Sequence, residues 1–400
     1  MEERRVWEAG NGGGLRKEQR NESTGRREAF EEEERRALYL LSNIEGMHSG
    51  VLRRMLAFAG SYGEAYRIPA GVYEAEGILG AGKNGRPLLL QFDRRREAED
   101  RLLKAYESLS AEGIRLVSSF DEHYPKRLRS LPNRPELLYV KGRLPSDERP
   151  CAAIIGARMC SDYGRETAAY FASELAEAGM QILSGMAMGI DGAAQAAALK
   201  TAGESFAVLG SGIDICYPRE HIRMYLRMAE GEGGVISEYP KGCPPLPYHF
   251  ILRNRIISGL CDVLLVLEAR EKSGTGITVN YALDQGKEIF ALPGRINDPL
   301  GRGANALLKD GAQILTSPED VLSLFGLTEK MQSRDRGQKA AALAKQEKIV
   351  YSNLDSREQH IELLSKKTGL EITALLDALL RLELMGLAAS PMNGYYRRKE

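Results

Sequence analysis

The chain has 400 residues, of which 43% are apolar and 28% are charged, and its 55 basic residues equal its 55 acidic ones. This length exceeds one ordinary hydrophobic core, so several domains are expected. The neutral balance excludes a bulk polycation, so a polyanionic partner would have to be held by a local site. The five cysteines form no C-x-x-C pair, and the apolar runs are too short for a membrane helix. These features predict a reduced, cytoplasmic protein with no membrane partner and no metal.

The N-terminal quarter contains a leader followed by short helices. Residues 1–33 are rich in mixed charge and lack an apolar run, which predicts a disordered leader. Residues 34–112 show helical periodicity that is interrupted at Gly46 and Gly60, which predicts a small helical domain, with a longer helix at 96–112. The turn "NIEGMHSGV" loosely resembles a helix-hairpin-helix of the SAM-like kind. Such a turn can hold a DNA phosphate, but a small packing module is the favoured interpretation.

A region of strand and helix alternation follows, over residues 113–326. It opens with a strand, "IRLVSS", and a proline-rich connection, "DEHYPKRLRSLPNRPELLYVKG". Seven apolar runs then alternate with amphipathic segments: "CAAIIG", "QILSG", "SFAVLG", "GVISE", "DVLLVLE", "EIFALP" and "AQIL". Alternation of this kind is typical of a parallel sheet with helices on both faces. We therefore expect an α/β fold with an extended Rossmann-like, doubly wound, mostly parallel sheet.

The C-terminal region has its own pattern. Residues 327–350 are polar and rich in Lys, Gln and Ala, which indicates a linker. Residues 351–400 contain two helical segments and a hairpin that ends in "GYYRRK". Apolar residues recur at helical spacing in the second segment, at Ile372, Leu375, Leu376, Leu379, Leu382 and Met385. Helix, turn, helix and hairpin is the element order of a winged helix.

The loops that follow the predicted strands suggest an anionic ligand. Ligands of an open parallel sheet bind beyond the carboxyl ends of its strands. Six of these loops carry glycine and small hydroxyl residues, for example "GARMCSDYG", "SGMAMGID" and "EAREKSGTGIT". Such residues let backbone N–H groups approach a phosphate closely, although glycine also serves tight turns. The repetition across six loops favours a phosphate-type ligand.

The stretch "HFILRNR" enters a crossover helix at the same edge. Arg253 and Arg255 carry planar forks suited to phosphate, and Asn254 can bond a phosphate, a sugar or a base edge. Phe250 can provide a stacking platform for a base. The alternative is that Phe250 belongs to the core and that both arginines pair with strand-end carboxylates.

Signals for catalysis or a cofactor are weak. The five histidines are scattered, and the third glycine of a dinucleotide fingerprint is replaced by Ile215. Asp191, Glu238 and Glu268 lie near strand ends, where each could be a general base but is better suited to orienting a loop. The sequence therefore predicts no catalytic residue and no cofactor.

Residues 114–316 resemble the DNA-processing protein A (DprA/Smf) family. The resemblance is carried by "IIGARMCSDYG", "ILSGMAMGID", "AVLGSGIDICYP", "HFILRNRIISGLCDVLLVLEA" and "ALPG", in this order. It implies an extended Rossmann-like domain that binds single-stranded DNA. It further implies a homodimer that helps to load a RecA-type recombinase on incoming strands during natural transformation.

The resemblance also assigns site residues. The implied DNA contacts are Gly156, Arg158, Ser161, Tyr163, Ser184, Gly185, Phe250, Arg253, Asn254, Arg255, Lys272, Ser273, Gly274 and Thr275. Four features depart from the family pattern, one of them "SGTGIT" in place of "SGSLIT". Gln195 stands where histidine is usual, Ile251 where proline is usual, and Pro247 where some members have lysine.

Two enzymatic alternatives remain. The fold class also includes nucleotide phosphoribohydrolases of the lysine-decarboxylase-like type, but Thr278 stands where their glutamate belongs. A nicotinamide-linked oxidoreductase lacks support because the fingerprint is incomplete. Release of adenine from adenosine monophosphate would identify the first alternative.

Overall fold

The computed structural model describes residues 29–80, 85–328 and 343–399. The chain divides into two compact units, with the boundary between Pro318 and Glu319. Most of the predicted leader, up to residue 28, and residues 329–342 of the predicted linker lie outside the described residues. Within the described part, no helix is both long and apolar enough to cross a bilayer.

The first unit begins with six helices: α1 (29–42), α2 (Ser49–Ala59), α3 (Tyr62–Arg67), α4 (Ala70–Ala75), α5 (Gly85–Asp93) and α6 (Glu99–Ser108). The two glycines that interrupt the periodicity lie at turns between them. Gly46 and Gly60 have φ angles of 84° and 83°, which L side chains rarely adopt. The helix predicted at 96–112 is shorter in the structure, where it spans Glu99–Ser108 and is preceded by a 3₁₀ turn at Arg95–Ala98.

Nine strands form one sheet: β1 (Arg115–Ser118), β2 (Leu137–Gly142), β3 (Cys151–Ile155), β4 (Gln181–Ser184), β5 (Ser205–Leu209), β6 (Gly233–Ser237), β7 (Val263–Val266), β8 (Glu288–Ala291) and β9 (Gln313–Ile314). Their spatial order is β1-β2-β6-β5-β4-β3-β7-β8-β9, and the pairs from β6 to β9 are all parallel. The predicted parallel sheet and its seven strands are confirmed.

The strand β2 was not predicted, because residues Leu137–Gly142 were assigned to a proline-rich connection. It pairs antiparallel with β1 on one side and with β6 on the other. Two partners distant in the chain complete its backbone hydrogen bonds. The proline-rich stretch before it gave no sign of that pairing.

Helices cover both faces of the sheet: α7 (Lys126–Arg129), α8 (Asp162–Glu177), α9 (Ile190–Ala198), α10 (Ile222–Ala229), α11 (Pro247–Leu260), α12 (Gly274–Asp284) and α13 (Arg302–Lys309). One apolar cluster joins the N-terminal helices to α10 and to residues of β2, β5 and β6. A second cluster lies under α11 and α12. The N-terminal helices thus share a core with the sheet, and alternate strand residues feed the two layers.

The second unit contains a winged helix, as predicted. Helices Lys345–Asn353, Ile361–Thr368 and Ile372–Leu384 surround an apolar cluster, and the last two form the helix-turn-helix. A three-stranded sheet completes it, in which Tyr395–Arg398 pairs with Gln359–His360 and with Ala388–Met392.

Candidate nucleic-acid interface

A pocket of about 410 Å³ lies beyond the carboxyl ends of β3 and β7. The strand order reverses here, because β4 to β6 continue on one side of β3 and β7 to β9 on the other. Loops on the two sides diverge at such a point and leave a crevice between them. The loop after β3, the start of α11 and the start of α12 supply most of the pocket lining.

Arg158 and Phe250 form one wall of the pocket. The guanidinium carbon of the exposed Arg158 lies 5.4 Å from the centroid of the half-buried Phe250 ring. Tyr217 packs against the same ring at a centroid distance of 5.5 Å. A Cβ atom at Gly210 would lie 2.7 Å from Phe250 Cδ1, so this glycine makes room for the ring. The aromatic ring therefore stands at the site with a cation beside it.

Arg253 is committed to the chain itself, although it borders the pocket. Its exposed fraction is 4%, and Nη1 donates to the carbonyl oxygens of Gly185, at 2.9 Å, and Val208. Burial lowers the pKa of Arg253 to about 10, while the nearby Asp191 acts in the opposite direction. The guanidinium thus joins the ends of β4 and β5, and it forms part of the pocket floor.

Ser184 and Gly185 do not line the pocket themselves, and Gly185 contacts Arg253 and Asp191, which do. The Ser184 hydroxyl donates to the carbonyl of Ile154 at 2.6 Å. A Cβ atom at Gly185 would lie 2.6 Å from Arg253 Nη2, so only glycine leaves space for the guanidinium. Asp191 accepts from the Gly185 N–H at 3.1 Å, and burial raises the pKa of Asp191.

Arg255 follows the alternative that the sequence left open. It is 7% exposed, and its Nη2 donates to both carboxylate oxygens of Glu238, at 2.6 and 2.7 Å. Its Nε donates to the carbonyl of Asn133 at 2.8 Å. Glu238 also accepts from the Ser49 hydroxyl at 2.5 Å. This network lies away from the residues that line the pocket and connects α11 to α2.

Asn254 lies between the two arginines in sequence and lines the pocket. Its Oδ1 accepts from Arg253 Nε at 3.2 Å, which fixes the orientation of the amide. Among the described residues, none accepts a hydrogen bond from the amide nitrogen. The amide group is therefore available to donate to a ligand.

The start of α12 forms the opposite part of the lining. Ser273, Gly274 and Thr275 all line the pocket, and the Ser273 hydroxyl is buried without a hydrogen-bond partner among the described residues. The first N–H groups of a helix lack partners within it and favour an anion. Of the basic residues in this loop, Arg270 lines the pocket, whereas the exposed Lys272 does not.

Arg270 is the residue that sequence reasoning missed. The family resemblance led to Lys272, which stands directly before the "SGTG" stretch. A signal for Arg270 was present, because it follows the buried strand β7 by four residues, at the ligand edge of the sheet.

The remaining predicted contacts lie in the loop after β3. Gly156 lines the pocket, and a Cβ atom there would lie 2.6 Å from Ile190 Cγ1. Ser161 caps α8 by accepting from the Gly164 N–H at 3.0 Å, and its own N–H and hydroxyl donate to Glu268. Tyr163 is 59% exposed on α8 and is not part of the lining.

The three single-residue departures from the family pattern have different surroundings. Gln195 is fully buried, donates to the carbonyl of Phe206 at 2.8 Å and is not part of the pocket lining. Pro247 and Ile251 both line the pocket. At these two positions α11 presents apolar side chains to the pocket.

The three carboxylates considered as bases are all engaged. Asp191 bonds the Gly185 N–H, Glu238 pairs with Arg255, and Glu268 accepts from Ser161. Among the described residues, no group of three His, Cys, Asp or Glu side chains could hold a metal ion. Thr278, at the position of the phosphoribohydrolase glutamate, is 3% exposed.

The chain is similar to known proteins in both sequence and structure. The sequence model of the family described as DNA recombination-mediator protein A matches residues 115–326, and a model of the DprA winged helix domain matches residues 334–391. Protein Smf of Escherichia coli is 37% identical over 70% of this chain and 77% of its own length.

Two further comparisons involve Streptococcus pneumoniae. Its DNA processing protein DprA is 40% identical over 52% of this chain and 73% of its own length. An X-ray structure of DprA from the same organism aligns with a TM-score of 0.62 at 32% identity, covering 72% of this chain and 97% of that one. This chain therefore belongs to the DNA recombination-mediator protein A (DprA/Smf) family.

Proposed function

We propose that this protein binds single-stranded DNA in the pocket beside β3 and β7 and holds it for a recombinase during natural transformation. Its family is one of DNA-processing proteins involved in transformation. The proposal adds a location and a mode of binding. It also adds a RecA-type recombinase as partner, a homodimeric state and a cytoplasmic location. These three parts of the proposal are supported by family membership.

The pairing of Arg158 with Phe250 is the observation that carries the proposal. An exposed guanidinium beside an aromatic ring offers a phosphate contact and a base contact within the span of one nucleotide. The amide of Asn254 and the first N–H groups of α12 add donors in the same pocket.

An unpaired strand suits this pocket better than a duplex. The mouth carries exposed apolar side chains, including Met159 and Ile251, which are 77% and 44% exposed. Bases of a single strand can leave the stack and cover such surface, whereas paired bases remain inside the helix. Discrimination between the two forms would then come from access to the bases.

Binding without turnover is supported by the acidic side chains, because the three candidate carboxylates accept hydrogen bonds from groups of the chain itself. General acid–base catalysis needs a carboxylate or a histidine within hydrogen-bond reach of the reacting group. Asp191 is the one of the three candidate carboxylates that lines the pocket, and it is held by the Gly185 N–H and faces Arg253. We therefore propose a binding protein and expect DNA and common nucleotides to stay intact.

The test is a titration of a fluorescent oligothymidylate and a matched duplex at several salt concentrations. We expect a preference for the single strand and a log–log slope of about −0.7 for each phosphate contact. Phe250→Ala should weaken binding and leave the slope unchanged, because loss of a stacked base releases no counterion. A salt-independent affinity, or equal affinity for the duplex, would contradict the proposal.

Incubation of the oligonucleotide and of adenosine monophosphate, with and without Mg²⁺, separates binding from catalysis. We expect both to be recovered unchanged. Strand cleavage or base release that disappears in Asp191→Asn would show an enzyme instead.

A further inference from the structure

The loop between β7 and α12 carries two basic residues, Arg270 and Lys272, which have different surroundings. Arg270 lines the pocket, and Lys272 does not. We propose that Arg270 is the second phosphate-contacting cation of the pocket. Arg158 contacts the strand from the loop after β3, and Arg270 contacts it from the α12 side. This inference rests on the proposed binding of single-stranded DNA.

The backbone at the base of Arg270 is held firmly. The Ala269 N–H donates to the carbonyl of Leu300 at 2.8 Å, and the Gly303 N–H donates to the carbonyl of Ala269 at 2.8 Å. A Cβ atom at Gly303 would lie 2.7 Å from the Arg270 carbonyl oxygen, so this turn approaches the loop as closely as glycine permits. A fixed attachment point reduces the entropy that Arg270 loses when it contacts a ligand.

The charge of Arg270 is also available. Arg253 and Arg255 are buried and bonded within the chain, whereas Arg270 is exposed and makes no ion pair with any described residue. Its sequence neighbour Glu271 is exposed and does not line the pocket. An arginine that is unengaged and borders an anion site supplies the planar fork that phosphate oxygens match.

The other groups on this side suit the same ligand. Ser273, Gly274 and Thr275 border the pocket at the N-terminus of α12, which is 11 residues long. A phosphate near Arg270 would meet the positive end of this helix and the unpartnered Ser273 hydroxyl. On the α11 side, by contrast, Pro247 and Ile251 offer no charge. Arg270 therefore adds an exposed positive charge to a pocket in which the one lining cation of α11, Arg253, is buried and bonded within the chain.

The experiment measures the affinity of the full chain for an oligothymidylate as a function of salt concentration. Arg270→Ala should weaken binding at low salt by about tenfold and make the log–log slope less negative by about 0.7, as loss of one phosphate contact predicts. Lys272→Ala should cause a clearly smaller change in both quantities. Arg223→Ala removes an exposed charge from α10, outside the pocket lining, and controls for bulk charge.

The possible results separate this inference from the proposed function. If the unmodified chain binds with a salt-dependent affinity but Arg270→Ala equals Arg223→Ala, the role of Arg270 is refuted and the proposed function stands. Equal losses in Arg270→Ala and Lys272→Ala would also refute it, because they would show a diffuse charge effect. Failure of the unmodified chain to bind would overturn both. Since Arg270 is exposed, a circular dichroism melt should show that its replacement leaves folding unchanged.

Discussion

At the scale of single residues, the three members of the motif "RNR" have different surroundings: the two arginines are buried and bonded within the chain, and the asparagine lines the pocket with a donor available. Positions two apart on a helix point in nearly opposite directions, so Arg253 and Arg255 cannot share a ligand. Arg253 reaches the carbonyls of Gly185 and Val208, and Arg255 reaches Glu238. Asn254, between them, is the member with a free donor at the pocket.

This division predicts opposite consequences for two arginine substitutions. Arg253→Ala should lower the free energy of unfolding by about 2–4 kcal/mol, because buried carbonyls and Asp191 lose their partner. Arg158→Ala should change it by less than about 0.5 kcal/mol, because Arg158 is exposed. Urea unfolding measures both.

Oligonucleotide titration completes the comparison. Arg158→Ala should weaken binding by about tenfold or more while the protein stays folded. If Arg253→Ala keeps full stability but loses binding, Arg253 contacts DNA directly and is not a structural residue.

At the scale of elements, α11 is anchored by a polar network as well as by its apolar face. Glu238 follows β6, pairs with Arg255 of α11 and accepts from Ser49 of α2. The side chains of Arg255 and Glu238 are 9% and 16% exposed, so the pair is largely removed from water. The helix that presents Phe250 to the pocket is thus tied to the N-terminal helices.

We expect Arg255→Met to lower the free energy of unfolding by about 3–5 kcal/mol, because it leaves the Glu238 carboxylate buried without its cation. Glu238→Gln combined with Arg255→Met should cost less than the sum of the single changes, by about 1–3 kcal/mol. Denaturant unfolding of the three variants gives this coupling energy. Additive effects would mean that the pair does not act as a unit.

At the scale of the whole molecule, the two units have separate apolar clusters. The two clusters around the sheet draw on residues 37–312, and the winged-helix cluster draws on residues 343–396. Each of these three clusters draws its residues from one unit alone.

A chain that ends at residue 328 should consequently fold and retain single-strand binding. We expect a cooperative thermal transition, a native circular dichroism spectrum and an affinity within about tenfold of the full chain. An insoluble product or a broad transition would show that residues beyond 328 complete the core of the first unit.

The sequence by itself determined the fold class, the seven strands from β3 to β9 and the winged helix. Apolar runs and helical periodicity report local burial directly, since each strand or helix must present its own apolar face. The motifs also indicated the edge of the sheet at which the pocket lies, because parallel strands place their carboxyl ends on one side of the sheet.

Only the tertiary structure decided how the basic residues divide between core and pocket. Arg253, Arg255, Arg270 and Lys272 are all basic residues in the sequence. Burial of such a side chain depends on partners far away in the chain, such as Glu238 and Asn133 for Arg255, which are 17 and 122 positions away. The pairing of β2 with β6 was hidden for the same reason. Long-range contacts are set by how elements pack, and a local pattern carries no record of which distant carbonyl or carboxylate will face a given side chain.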